Sequence, residues 1–472
     1  MGVLELAAVL PAAAEESLEP DVRAQIARQG LSADKVAAVI IDDRGRILAS
    51  INGSKPFQPA SNQKILTTAA ALHALGPEFR YVTTLTAAGP IRGGVLEGDL
   101  VLRGTGDPNI SSRFYSGGPA TLFRDWARAL RERGLHEVGG DLLADESYFD
   151  GVRWPPSWDR RQEETWYSAQ ISALSLNDNC LDVIVRPASA VGKPARVEIV
   201  PACALLELEG APETTAGGAA KVVVHRKPGT NTYTVRGQIP LRHAPWTGNV
   251  TLDDPALVFA SSFAAVLKEE GIVVRGKVRK AAPGEKLATA QGMRLVEHTS
   301  TLAQDLPIIL KRSQNLHAEV LLRALGANAG GEGSVAGGER AVRAYLKSQA
   351  IPDQALILVD GSGLSHENRV TADLLARVLH SIRKEKYFPA YLEALPIAGK
   401  DGTLDERFAR STVKGKLYAK TGYIHGVSCL SGYVVKDGKV ATFSVLVNGI
   451  GASARAAKRL QEAVGELIYS RI

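Results

Sequence analysis

Apolar residues run unbroken from Val36 to Ile41 and return between Arg46 and Ile51, with Asp42-Asp43-Arg44-Gly45 between them. That pattern predicts two strands joined as a hairpin. After Pro59-Ala60, an Ala/Leu-rich stretch from Ser61 to Leu75 predicts a helix closed by Gly76. From about Val82 the texture changes to short alternating runs separated by Gly-rich turns. Thr83 to Ala87, Asp99 to Arg103, Val183 to Arg186, Lys221 to Val224 and Tyr233 to Arg236 are examples. This middle region is read as β-rich, interrupted by a helix over Val258 to Glu270. Helical periodicity returns in Leu302 to Leu325, Gly338 to Gln349 and Thr371 to Arg383, the last with Thr as its N-cap. A second hairpin follows, Val427 to Val435 and Val440 to Val447 around Asp437-Gly438, and then a helix from about Ala452 to Ile468. Both ends therefore show a hairpin plus a long helix. One antiparallel sheet built from both termini, with helices against it, would close a domain, and the β-rich middle would be an insertion in it.

At 472 residues the chain exceeds one ordinary core, so two or three domains are expected. With 45% hydrophobic and 22% charged residues, wholesale disorder is excluded. The net charge of +6 is spread without a Lys/Arg run, so no nucleic-acid partner is expected. The excess fits work near anionic wall polymers or phospholipid, and equally simple solubility. Cys180, Cys203 and Cys429 form no CxxC and no zinc-spaced cluster, so no metal or cofactor is expected. Cys180 and Cys203 either pair in an oxidising compartment or stay as buried free thiols, while Cys429 reads as core. Met1 to Ala14 is small and apolar, like the end of a secretory signal without its basic start. No other run approaches the ~20 apolar residues of a transmembrane span.

Three short motifs occur in order: Ser61-Asn62-Gln63-Lys64, Ser313-Gln314-Asn315 and Lys420-Thr421-Gly422. The set S-x-x-K, S-D-N, K-T-G is shared by penicillin-binding proteins and class A β-lactamases. Each motif alone is weak. S-x-x-K recurs at Ser381–Lys384 and Ser411–Lys414, and S-x-N at Ser175–Asn177. Placement discriminates. Ser61 opens a helix, where free N–H groups and the dipole favour negative charge. Lys64 is one turn on, on the same face. It can take the serine proton if burial or a nearby cation lowers its pKa, and Lys420 is read as that cation. Ser381 lies late in its helix, where the dipole opposes an anion, and Ser411 lies in a turn region. The third motif precedes the last hairpin at a strand edge, whose free groups can pair with an extended peptide. Lys420 and Thr421 are read as holding a terminal carboxylate, and Gly422 as letting a substrate backbone approach. The N–H of Tyr423, with that of Ser61, would form an oxyanion hole. Ser313 and Asn315 fall in a helical region. Ser313 is read as relaying a proton to the leaving amine, and Asn315 as fixing Lys64 and a substrate amide. Taken singly, each motif is also an ordinary N-cap, exposed turn or helix-surface pair.

Further segments extend the pattern: Pro59-Ala60 with Gly76-Pro77, Gly98 to Leu102, Gly104 to Pro108, Asp360-Gly361-Ser362-Gly363-Leu364-Ser365 with Asn368-Arg369, Ala398 to Leu404, and Leu430-Ser431-Gly432-Tyr433. With them the chain resembles type-4 penicillin-binding proteins, the D-alanyl-D-alanine carboxypeptidase/endopeptidase family, over nearly its whole length. The resemblance implies an α/β, serine β-lactamase/DD-peptidase-like transpeptidase domain, an antiparallel sheet with helices, at residues 18–82 and 296–472. It implies a large β-rich two-part insertion at 83–172 and 173–295, with 1–17 a signal remnant or disordered start. It also implies an exported enzyme, in the periplasm or on the outer side of the cytoplasmic membrane. Such an enzyme acts on D-Ala-D-Ala peptidoglycan stem peptides through a Ser61 acyl-enzyme and is acylated by covalent β-lactam inhibitors. Asp145 is implied as a carboxylate for a diaminopimelyl amine, or else is a turn aspartate. Tyr423 stands where Thr is common and His366 where Arg is common, which leaves the side-chain preference open. His317, His366 and His425 lie near the motifs without metal spacing. The alternatives are a β-lactamase, a non-catalytic wall-binding or penicillin-sensing protein, and a generic esterase. No Glu-x-x-Asn loop or Tyr-x-Asn motif supports the first.

Overall fold

The run Val36–Ile41 is strand β1 and is buried along its whole length, as a continuous apolar strand requires. Successive side chains leave opposite faces, so this strand feeds two cores. Ala37, Val39 and Ile41 pack with helix α2 (Gln63–Leu75) and its neighbours. Val36, Ala38 and Ile40 pack with helix α1 (Glu19–Arg28) and the C-terminal helix Arg455–Arg471. The computed structural model describes residues 17–285, 287, 292–451 and 453–472. Apart from Ser17, the expected signal remnant lies outside the described residues.

The hairpin partner of β1 is β2 (Ile47–Ile51). The late hairpin supplies β3 (Leu417–Ile424), β4 (Val427–Lys436) and β5 (Lys439–Asn448). The sheet runs β3-β4-β5-β1-β2, antiparallel throughout. Both termini therefore build one sheet, with β3 on an edge. Helices α3 (Leu302–Leu310), α4 (Asn315–Leu325) and α5 (Ala372–Ile382) pack with α2 in one core. Thr371 caps α5 by accepting from the N–H of Leu374.

The single helix expected over Leu302 to Leu325 is in fact two. Ser313 has φ +60 and breaks it, a left-handed conformation that non-glycine residues seldom adopt. No glycine or proline falls between Lys311 and Asn315, although Pro307 lies inside the first of the two helices.

Strand Arg80–Ala88 leads into the insertion and Met293–Thr301 returns beside it, antiparallel. With Asp99–Gly104, Leu142–Asp145 and Val278–Lys280 they form a five-stranded sheet. Helices Ala120–Glu132 and Pro255–Glu269 cover it, with Phe123 and Trp126 against Phe259 and Phe263. Further strands between Cys180 and Thr251 enclose their own small core of Leu181, Val183, Tyr233 and Val235. A boundary at 172/173 would put residues 255–280 with those later strands. Instead Val273–Val274 and Val278–Lys280 pair with Glu137–Val138 and Leu142–Asp145. Residues 255–280 thus pack with the first inserted unit, and the second is nested inside it. All three thiols are free, Cys180 and Cys429 buried. Among the described residues no helix is long and apolar enough to cross a membrane.

Candidate active site

Ser61 sits in a tight turn, Ala60–Asn62, that runs directly into α2. Ala60 is buried with φ +45. The loop after Asp360 clamps this turn. A Cβ added at Gly363 would lie 1.8 Å from the Ala60 carbonyl oxygen, so no side chain fits there. Asn62, the first variable position of the motif, ties the turn to the sheet. Its Nδ2 donates to the Lys420 carbonyl at 2.9 Å, and Ser431 Oγ donates to its Oδ1 at 2.6 Å.

Lys64 is fully buried, with Nζ 3.0 Å from Ser61 Oγ. It donates to Asn315 Oδ1 at 2.7 Å and to the Ser362 carbonyl at 2.8 Å. Both are acceptors only, because the Asn315 Nδ2 is committed to the Tyr167 carbonyl at 2.8 Å. A neutral amine has two N–H groups and one lone pair. The two carbonyl oxygens take the N–H groups, and the lone pair is left for the Ser61 hydroxyl. Burial brings the Lys64 ammonium down to about 7 against the opposing pull of Asp360 and Glu319, so the free amine is available near neutrality.

Lys420, also buried, donates to Ser313 Oγ and to the Thr421 carbonyl, each at 2.8 Å. Burial first, and then the Lys64 charge, hold its pKa well below the usual lysine range. Lys420 therefore bonds to Ser313 rather than to Ser61. Thr421 Oγ1 shares a 2.7 Å hydrogen bond with Thr403 Oγ1. Gly422 lets the edge strand approach the Ser61 turn: a Cβ there would lie 2.8 Å from the Pro59 carbonyl oxygen. Tyr423 is 59% exposed at the end of this strand.

Several residues outside the three short motifs support the site. Asp360 accepts from the N–H groups of Gly363 and Ser365, from Asn368 Nδ2 and from Trp158 Nε1, so the whole loop winds around one carboxylate. Glu319, one turn beyond Asn315, accepts from the N–H groups of Gly361 and Ser362 and pairs with buried Arg323. The i, i+4, i+8 spacing of Asn315, Glu319 and Arg323 was the available sign. A second buried chain braces the Ser313 turn. Tyr81 donates to Asp305, His317 lies between Asp305 (2.5 Å) and Asp178 (3.3 Å), and Gln314 Nε2 donates to Asp178 at 2.8 Å.

The other matches to the motifs lie elsewhere. Ser381 Oγ donates to the Val378 carbonyl, Ser411 Oγ to Glu466 and Ser175 Oγ to the Ser172 carbonyl. Asp145 is buried at the end of its strand. It accepts from the Ser147 N–H at 3.0 Å, and its Oδ2 is 3.6 Å from Arg103 Nε, with no bond to the three motifs.

The chain matches the model of the D-Ala-D-Ala carboxypeptidase 3 (S13) family over residues 18–468. It is 34% identical over 447 residues to a D-alanyl-D-alanine carboxypeptidase of Actinomadura sp. (strain R39), covering 92% of this chain and 81% of that protein. It is 30% identical over 419 residues to D-alanyl-D-alanine carboxypeptidase DacB of Haemophilus influenzae, covering 86% of this chain and 84% of that one. The crystal structure of penicillin binding protein 4 from Haemophilus influenzae superposes with a TM-score of 0.79 at 25% identity, over 95% of this chain and 99% of that one. Its complex with a β-lactam superposes at 0.74, with the same identity and coverage. On the match of that family model to nearly the full chain, the protein belongs to the D-Ala-D-Ala carboxypeptidase 3 (S13) family.

Proposed function

We propose that this protein is a penicillin-binding serine DD-peptidase that cleaves D-Ala-D-Ala peptides of peptidoglycan through an ester on Ser61. The observation that carries the reading is the Lys64 amine, buried 3.0 Å from Ser61 Oγ with both of its N–H groups taken by carbonyl oxygens. Lys64 accepts the Ser61 proton as Oγ bonds to the carbonyl carbon of the penultimate D-Ala. The oxyanion is held by the N–H groups of Ser61 and Tyr423. Lys420 and Thr421 hold the terminal carboxylate. The C–N bond then breaks, and Lys64 with Ser313 returns the proton to the leaving nitrogen. Water hydrolyses the ester, giving its hydroxyl to the acyl group and a proton back to Ser61. A β-lactam follows the same first step, but its leaving nitrogen stays tethered. The work is done outside the cytoplasmic membrane, where the polymer is, so the protein is exported.

The test is mass spectrometry after exposure to benzylpenicillin, alongside an assay of D-Ala release. A covalent adduct is expected on the peptide carrying Ser61, absent in Ser61→Ala. A folded protein that neither takes the label nor releases D-Ala overturns the proposal.

A further inference from the structure

A cleft of about 420 Å³ opens between the Ser313 turn and the insertion. Both sequence neighbours of Ser313, Arg312 and Gln314, line it, together with Arg113, Trp166, Asp182 and Asn249. The charges on its walls are incompletely matched. Arg113 is committed to Asp178. The exposed Arg312 side chain has no partner among the described residues. Asp182 is met by the Asn177 amide at 2.9 Å but by no ion-pair partner among the described residues, and burial raises its pKa. Gln314 is buried and gives its amide nitrogen to Asp178, yet its Oε1 has no partner. Buried acceptors are rarely left so. The Trp166 indole is 41% exposed, large for such a side chain.

We propose that this cleft is a subsite for the leaving side of the substrate, holding the second peptide of a cross-link. The inference rests on the Ser61 peptidase reading. In that reading Ser313 hands a proton to the leaving nitrogen, and its two chain neighbours, Arg312 and Gln314, line this cleft. A second stem peptide, attached through a diamino acid, offers carboxylates, amide N–H groups and an aliphatic side chain. Arg312 takes a carboxylate, and Asp182 with the Gln314 oxygen takes an N–H or ammonium group. Trp166 covers the aliphatic part.

The intact protein is assayed on a monomeric peptide ending in D-Ala-D-Ala and on a cross-linked dimer of two stem peptides, with benzylpenicillin labelling in parallel. Arg312→Ala and Asp182→Asn should each lower the dimer-to-monomer ratio of kcat/KM by roughly five- to tenfold, through KM. Arg312→Lys should recover part of the loss. Equal loss on both substrates, no change in the ratio, or failure of a labelled, monomer-cleaving protein to cleave the dimer overturns the cleft assignment alone. A wild-type protein with neither label nor D-Ala release removes the peptidase reading and the cleft with it.

Discussion

At the scale of a residue, burial is what would let Lys64 serve as the base of the proposed reaction. Its ammonium titrates at about 7, so roughly half is free amine at neutral pH. The rate of acylation by benzylpenicillin should therefore rise with pH through about 7 and level off above it. Asn315→Asp would set a carboxylate where Lys64 now meets an amide oxygen at 2.7 Å. An opposite charge at that distance stabilises the ammonium, so the rising limb should move roughly 1 unit or more to higher pH. Stopped-flow acylation rates across pH 5 to 9 on both proteins check this. A limb that stays in place in the variant would remove Lys64 from the role of base.

At the scale of an element, the site depends on two glycines that let backbone touch backbone. Gly363 has φ +81 and faces the Ala60 carbonyl oxygen, so Gly363→Ala adds both strain and a clash. It should cost about 2–4 kcal/mol in urea unfolding. Gly422→Ala meets the Pro59 oxygen at 2.8 Å and should push the edge strand off the Ser61 turn. Acylation should then slow about tenfold or more while the melting temperature changes little, since the strand keeps its ladder to β4. Much of this architecture was legible beforehand. Both hairpins, the helix after Ser61 and the edge placement of Lys420 follow from apolar runs and turn residues. The break at Ser313 was not: the polar run Lys311 to Asn315 interrupts the apolar pattern there, but a polar run also fits an exposed helical turn, and Ser313 is no usual left-handed residue. Nor were the bonds of Asn62 to Lys420 and Ser431, since partners hundreds of residues apart leave no local trace. The nesting of the insertion was hidden for the same reason.

At the scale of the whole molecule, His317 holds four segments together. Tyr81 lies on the strand entering the insertion, Asp178 lies within the insertion, Asp305 is on α3 and His317 on α4. Burial lowers the imidazolium pKa, but Asp305 and Asp178 outweigh it and raise it from 6.5 to about 9. Because the folded value lies above the ordinary one, the contribution to stability is complete below about 6.5 and is lost as pH rises through about 9. It amounts to something on the order of 3 kcal/mol. Lys64 acts with the opposite sign above about 7, so the comparison is with His317→Gln. In urea titrations the wild-type advantage over that variant should shrink across this window. An advantage independent of pH would mean that the ring is held neutral. The pairing of β1 with β5 has a consequence for biogenesis. Ser61 and β1 are translated well before Lys420, Thr421 and the strands that complete their sheet. On the proposed reading, Ser61 stays unarmed until those later strands dock on β1, and catalytic competence arrives with that docking.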